Sequence, residues 1–188
     1  MARNNNENKD VAEYSELAEG FYKKYFAQNG EGVRLSLEAL RELKEEGVTT
    51  EQFLDYLCQK QGLLLHGSIH QIESDKLTSK NKKIFATNKS AIAIERSLYS
   101  NVDVNLEYPY FINDENPLIL KIHTRPNGKF MKKDTGFVYV VKSDGFKNEP
   151  ENSWQFVRET DEVDYIAVVE TENSDFTYPV EVFNDFEL

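Results

Sequence analysis

Apolar positions in the first third of the chain repeat at helical spacing. From Val11 to Phe26 they fall at Tyr14, Leu17, Ala18, Phe21, Tyr22 and Tyr25, which places them along one helix face. Asn29-Gly30-Glu31-Gly32 breaks the pattern. Ser36 stands where it can cap a second helix carrying Leu37, Leu40 and Leu43, with Gly47 as its stop. Thr49 and Gln52 have capping-box spacing for a third helix with Phe53, Leu54, Tyr56 and Leu57, ended by Gly62. The pattern predicts a helical subdomain over residues 11–62, preceded by a polar, Asn-rich tail over residues 1–10 that is expected to be disordered.

At Leu63 the period changes. Short runs rich in β-branched and aromatic residues predict strands near Leu63–His66, Ile84–Ala86, Leu118–His123, Gly136–Val141, Trp154–Arg158, Tyr165–Glu170 and Pro179–Phe183. One helix interrupts them from about Lys89 to Tyr99, with Ala91, Ile92, Ile94 and Leu98 as its apolar set and Thr87 or Asn88 as its cap. Pro126-Asn127-Gly128 marks a turn. No internal repeat is visible. Helices first, then a mainly antiparallel sheet with an inserted helix over residues 63–188, make the class α+β.

Composition narrows the picture. A chain of 188 residues with 39% hydrophobic content holds one core, or a core with a small annex. Its 33 acidic against 22 basic side chains give a net charge of -11, which opposes general binding to nucleic acid or to an anionic membrane surface. Cys58 is the only cysteine, so no intramolecular disulfide forms. The N-terminal stretch has no apolar core of the signal-peptide kind, and no run reaches the length of a membrane span. The expectation is a cytoplasmic protein.

Candidate chemistry concentrates where an apolar run stops at polar groups, Leu63-Leu64-Leu65-His66-Gly67-Ser68. A histidine at the end of a strand can meet a sugar hydroxyl through one ring nitrogen while backbone holds the other. Gly67 removes a side chain where a ligand would approach, and Ser68 adds a hydroxyl. The bland alternative is a satisfied histidine followed by an ordinary turn. Other readings are weaker. His66, His70 and His123 with Cys58 do not have a spacing that converges on a metal, and no metal is expected. Cys58 sits among apolar neighbours and reads as core. The basic stretch from Lys121 to Lys133 reads as a solvated hairpin, and the aromatic stripe of the first helix as core. No phosphate-binding glycine loop or serine-nucleophile elbow is present.

The order strand, His66-Gly67-Ser68, a variable stretch, then Ile84-Phe85-Ala86-Thr87 and a helix resembles the ADP-ribosyltransferase-like fold. The likeness is to its branch with a histidine on the first strand, which includes poly-ADP-ribose polymerases, RNA 2′-phosphotransferases and bacterial relatives of unassigned role. Gly136-Phe137-Val138-Tyr139-Val140 and Trp154 resemble that fold's late strands. The resemblance covers about residues 63–170 and leaves the helical third aside. It implies a split sheet with NAD bent across the cleft between the halves. It implies that His66, Gly67 and Ser68 hold a ribose, that an aromatic on the second strand stacks on nicotinamide, and that a late Glu or Gln stabilises the charge that develops as nicotinamide leaves.

Two positions depart from that pattern. Ile84 stands where the family has Tyr or His before Phe-Ala, leaving Phe85 to line the nicotinamide pocket. Gln155 is the positional match for the late acidic residue, with Glu159 and Glu151 as fallbacks. The triplets Glu149-Pro150-Glu151 and Glu170-Thr171-Glu172 are expected by chance in so acidic a chain and do not mark the arginine-targeting branch. The functional expectation is NAD-dependent ADP-ribosyl transfer to a protein or nucleic-acid acceptor. The alternatives are a non-catalytic interaction protein that keeps the fold and binds a partner through its helices or acidic face, and processing of RNA 2′-phosphates.

Overall fold

A computed structural model describes residues 4–29, 32–101, 110–113, 119–123, 130–150 and 152–183. Among them are four α-helices: α1 (Asn4–Asn29), α2 (Leu37–Glu45), α3 (Thr50–Gln61) and α4 (Ser90–Leu98). The strands are β1 (Val33–Leu35), β2 (Leu63–Ser68), β3 (Lys76–Thr78), β4 (Ile84–Thr87), β5 (Tyr99–Asn101), β6 (Tyr110–Asn113), β7 (Ile119–His123), β8 (Phe130–Lys132), β9 (Thr135–Lys142), β10 (Lys147–Glu149), β11 (Asn152–Arg158), β12 (Glu162–Glu172) and β13 (Val180–Phe183). The class is mixed α+β with a mostly antiparallel open sheet.

Local signals explain several boundaries. Ser36 accepts the Ala39 N–H at 3.3 Å ahead of α2. Thr49 and Gln52 close a full capping box at α3. Such caps contribute about 1 kcal/mol each. Gly62 ends α3 at φ 65°, a left-handed conformation that a glycine adopts without the steric cost of a Cβ. Helix α1 begins at Asn4, inside the stretch read as a disordered tail; no Gly or Pro stands between Asn4 and Val11 to stop it. The cap of α4 also differs. Thr87 Oγ1 accepts the Lys89 N–H at 3.0 Å, but the first helical residue, Ser90, donates its hydroxyl to Asp55 of α3 at 2.7 Å. A cap supplied by a distant helix leaves no local sequence signal. The expected turn at Pro126-Asn127-Gly128 and the start of the expected strand at Leu118 lie outside the described residues.

The largest sheet has eight strands, in the order β1-β12-β9-β2-β4-β11-β10, with β3 paired to the far end of β12. Smaller sheets are β13-β7-β6 and β5-β8. Strand β1, unannounced by the hydrophobic pattern, runs parallel to β12 and ties the chain between α1 and α2 into the large sheet. One core lies between sheet and helices. It combines Phe21, Leu40, Phe53 and Leu57 from the helical third with Leu65, Val138, Val140, Ala167 and Val169 from the strands. A second core on the opposite face holds Leu64, Ile84, Tyr139, Val141 and Val168. Burial on both faces is why Leu63-Leu64-Leu65 and Val138–Val141 read as continuous apolar runs rather than alternating ones.

Two features of this sheet position the site. First, β2 and β4 are joined by a single residue pair, Leu65 with Thr87. Each is fully paired on its other side, β2 to β9 over Leu63–Ser68 and β4 to β11 over Ile84–Thr87. The sheet therefore has two halves that part beyond that pair. Second, α4 lies directly on the strands at two glycines. A Cβ at Gly67 would stand 2.1 Å from the Ala93 carbonyl oxygen, and one at Gly136 would stand 2.0 Å from the Ser97 carbonyl oxygen. Neither backbone contact can yield without moving the helix. Gly67→Ala is expected to lower stability by about 1–3 kcal/mol through overpacking, measured as a fall in the urea midpoint by circular dichroism. An unchanged midpoint would mean that α4 shifts freely on the sheet.

Candidate functional site

Beyond the Leu65–Thr87 pair, the opening between the half-sheets forms a cleft of about 510 Å³. That lies within the range of about 300–1,000 Å³ common for small-molecule sites. Leu65, His66 and Gly67 of β2 form one wall, and Phe85, Ala86 and Thr87 of β4, with Lys83 just ahead of them, form the other. Ile92, Ala93 and Arg96 of α4 close one side, and Glu149, Trp154 and Gln155 come from the β10–β11 hairpin.

His66 spans the opening. Its Nδ1 donates to the Phe85 carbonyl oxygen at 2.7 Å, a link across strands that no longer share a backbone ladder. A carbonyl only accepts, so Nδ1 carries the hydrogen and Nε2 is the acceptor of the neutral ring. Burial holds the His66 pKa below the usual histidine value, and the nearby Arg96 charge lowers it further, against the Phe85 hydrogen bond. The ring is therefore neutral at pH 7, and its remaining nitrogen suits a hydroxyl donor.

The β4 side chains alternate. Ile84 is 3% exposed in the second core, whereas Phe85 is 42% exposed and lines the cleft. The aromatic face offered to a ligand thus comes from Phe85, one residue along from the position that the family likeness marks. Gln155 also lines the cleft, at the strand position opposite Thr87. Its Nε2 donates to Glu149 Oε2 at 2.9 Å. His66, Phe85 and Gln155 are therefore brought together.

Other sequence candidates fall elsewhere. Ser68 is outside the cleft lining, and its hydroxyl is occupied by a local turn, donating to the His70 carbonyl at 2.8 Å and accepting the His70 N–H at 3.2 Å. Gly67 borders the cleft, but the space its missing side chain leaves is filled by α4 rather than kept for a ligand. Glu159 is exposed beyond the end of β11, about 13 Å of extended chain from Gln155. Glu151 lies outside the described residues. The triplet at Glu170 is structural. Glu170 pairs with Arg34 at 2.6 Å and accepts the Leu37 N–H, and Glu172 pairs with Lys44 at 2.9 Å. Cys58 packs against the first core, where burial pushes its thiol up to about 12 and keeps it from acting as a nucleophile.

Sequence reasoning missed Glu149, Lys83 and Arg96 as cleft residues. Glu149 reaches the cleft through a shift in the β10–β11 register between Asn148 and Glu149, and Arg96 through the seating of α4 on Gly67, neither of which leaves a local pattern. Among the described residues, no group of three or more His, Cys, Asp or Glu is placed to hold a metal ion, and no helix is long and apolar enough to cross a membrane. Compared with protein-family models, with curated proteins and with solved structures, the chain matches none.

The partly buried His66 makes a titration prediction. A folded pKa held below the unfolded value of about 6.5 means that the unfolded chain binds protons first. Stability is unaffected above that pH and declines as pH falls through it, levelling once the folded ring also protonates. The His66 ring resonances should titrate below 6.5, and Arg96→Gln should move the midpoint upward. A His66 midpoint at or above 6.5 would contradict the burial argument.

Proposed function

We propose that the protein is an ADP-ribosyltransferase-like, NAD-dependent enzyme that transfers ADP-ribose to a macromolecular acceptor. The observation that carries this reading is the joint placement of His66, Phe85 and Gln155 around one cleft where two half-sheets part. The single-pair junction of β2 and β4 supports a split sheet of the kind the sequence likeness implies.

The side chains fit NAD as a substrate. Phe85 offers an exposed ring for stacking on a flat heterocycle. His66 Nε2 accepts from a ribose hydroxyl and fixes the sugar. Glu149 and Gln155 supply a carboxylate and an amide at one end of the cleft, where positive charge on the sugar is favoured as the glycosidic bond opens. Lys83 and Arg96 supply positive charge for phosphate oxygens. Nicotinamide leaves with the electrons of the C–N bond, and an acceptor nucleophile bonds to the ribose carbon and releases its proton.

A second reading keeps the cofactor site without transfer. Ile84 is buried where the family has a polar aromatic, and β11 offers an amide in place of a carboxylate, which favours a protein that binds a nucleotide and a partner without catalysis. Processing of RNA 2′-phosphates has less support, since among the described residues that line the cleft Lys83 and Arg96 are the only Lys or Arg.

Incubation with NAD labelled in its adenylate half and a cell lysate tests the proposal. Label on macromolecules with release of nicotinamide is expected, reduced about tenfold or more in His66→Ala. Phe85→Ala should raise the NAD concentration required for half-maximal activity. Heat of NAD binding in calorimetry without nicotinamide release would favour the second reading, and absence of both would overturn the two together.

A further inference from the structure

The β10–β11 hairpin breaks its own ladder beside the cleft. Asn148 pairs with Phe156, but the next residue, Glu149, pairs with Asn152. Ser153, Trp154 and Gln155 fall between those two partners and have no residue opposite them on β10, so β11 bulges there. The Asn148 side chain fills the gap. Its Nδ2 donates to the Ser153 carbonyl oxygen at 3.0 Å and to the Gln155 carbonyl oxygen at 3.1 Å. A carbonyl only accepts, so the amide nitrogen must face both, and it has one hydrogen for each. The two carbonyls bracket Trp154, and one amide therefore grips the bulge on either side of it.

The bulge changes which side chains the cleft receives. Neighbouring residues of a regular strand point to opposite faces, yet Trp154 and Gln155 both line the cleft. Phe156, the next residue, packs against the second core. Glu149, just past the register shift, lines the cleft and accepts from Gln155 Nε2 at 2.9 Å. Three cleft residues thus take their aim from the segment that Asn148 holds. Asn148 itself is exposed and does not line the cleft. We propose that Asn148 is a positioning residue whose amide holds the bulge, and that Trp154 is the side chain it presents to the ligand, a second aromatic face beside that of Phe85. The ligand half of this inference rests on the cofactor reading above, whereas the positioning half concerns the free protein. Because Asn148 is exposed, water can take over its two carbonyls when the amide is lost, so the bulge relaxes while the core keeps its packing.

Trp154 is the only tryptophan, so its fluorescence reports on this segment alone. Asn148→Asp keeps the shape of the side chain but replaces both donors with a charged acceptor, and Asn148→Ala removes the group. In the native state of the full chain, both are expected to shift Trp154 emission to longer wavelength and to make it easier to quench with acrylamide. Far-UV circular dichroism should match wild type, and Lys147→Ala, on the neighbouring exposed residue of β10, should leave the emission unchanged. In calorimetry both Asn148 variants should bind NAD about tenfold more weakly, the size of one or two lost hydrogen bonds. Unchanged emission and quenching in both variants overturns the proposal. So does altered emission with NAD affinity equal to that of wild type, or loss of the folded signal in both variants, which makes Asn148 a purely structural residue. If wild type binds no NAD while the variants still shift the emission, the cofactor reading and the ligand role of Trp154 fall and the positioning by Asn148 stands.

Discussion

The pairing of Leu65 with Thr87 is the constraint on which the site depends. It is the one register position that joins β2 to β4, and so joins the two parts of the large sheet. Were the ladder to continue, the next positions along would pair and the cleft would close. Instead His66 turns its ring to the Phe85 carbonyl and satisfies by a side chain a group that the ladder abandons. The chain leaves Thr87 directly into α4, so the same point also sets where the helix starts. Gly67 and Gly136 then let α4 come down onto β2 and β9, at separations that any Cβ would forbid. An opening between strands, with a helix as its wall, follows from these few contacts.

Such an opening places unlike groups under different constraints. His66 is a poor place for a positive charge, because it is partly buried and lies near the Arg96 charge. Phe85 pays little for its exposure if a flat ligand covers it, whereas Ile84, one residue back, is locked in the second core with Leu64 and Tyr139. Alternation along β4 thus decides which side chain can meet a ligand and which only supports the fold. Glu149 and Gln155 form a pair whose geometry depends on the irregular pairing of β10 with β11, so their placement belongs to the hairpin rather than to either residue.

Much of the fold was legible in the chain because the signals were local. The Ser36 cap, the Thr49–Gln52 box, the Gly62 stop and the apolar runs at Leu63 and Gly136 each encode a boundary within a few residues, and the helices and strands appear there. Short pieces such as β1 and β10 were not legible, because three residues carry no period and their pairing partners are far along the chain. The cleft was legible in part. His66, Phe85 and Gln155 stand at strand positions that the sequence resemblance singles out, and all three line the cleft. Gly67 borders the cleft while Ser68 closes a local turn, a difference the chain does not announce because a hydroxyl and a missing side chain look alike whether they serve a ligand, a turn or a packed helix. Glu149 and Arg96 required the tertiary structure, since only the β10–β11 register shift and the seating of α4 bring them to the site.

The helical first third, which the family likeness leaves unexplained, acquires a role from the same contacts. Asp55 of α3 takes the Ser90 hydroxyl at 2.7 Å and holds the N-terminus of α4, whose own N-cap residue makes no side-chain cap. The first core then joins Phe53 and Leu57 of α3 to Ala93, Ile94 and Leu98 of α4. Because Ile92, Ala93 and Arg96 form one wall of the cleft, the helices reach the site through α4 without touching it themselves. A change at Asp55 should therefore be felt at His66, through the position of Arg96, before it is felt in the strands, which have their own ladders to hold them.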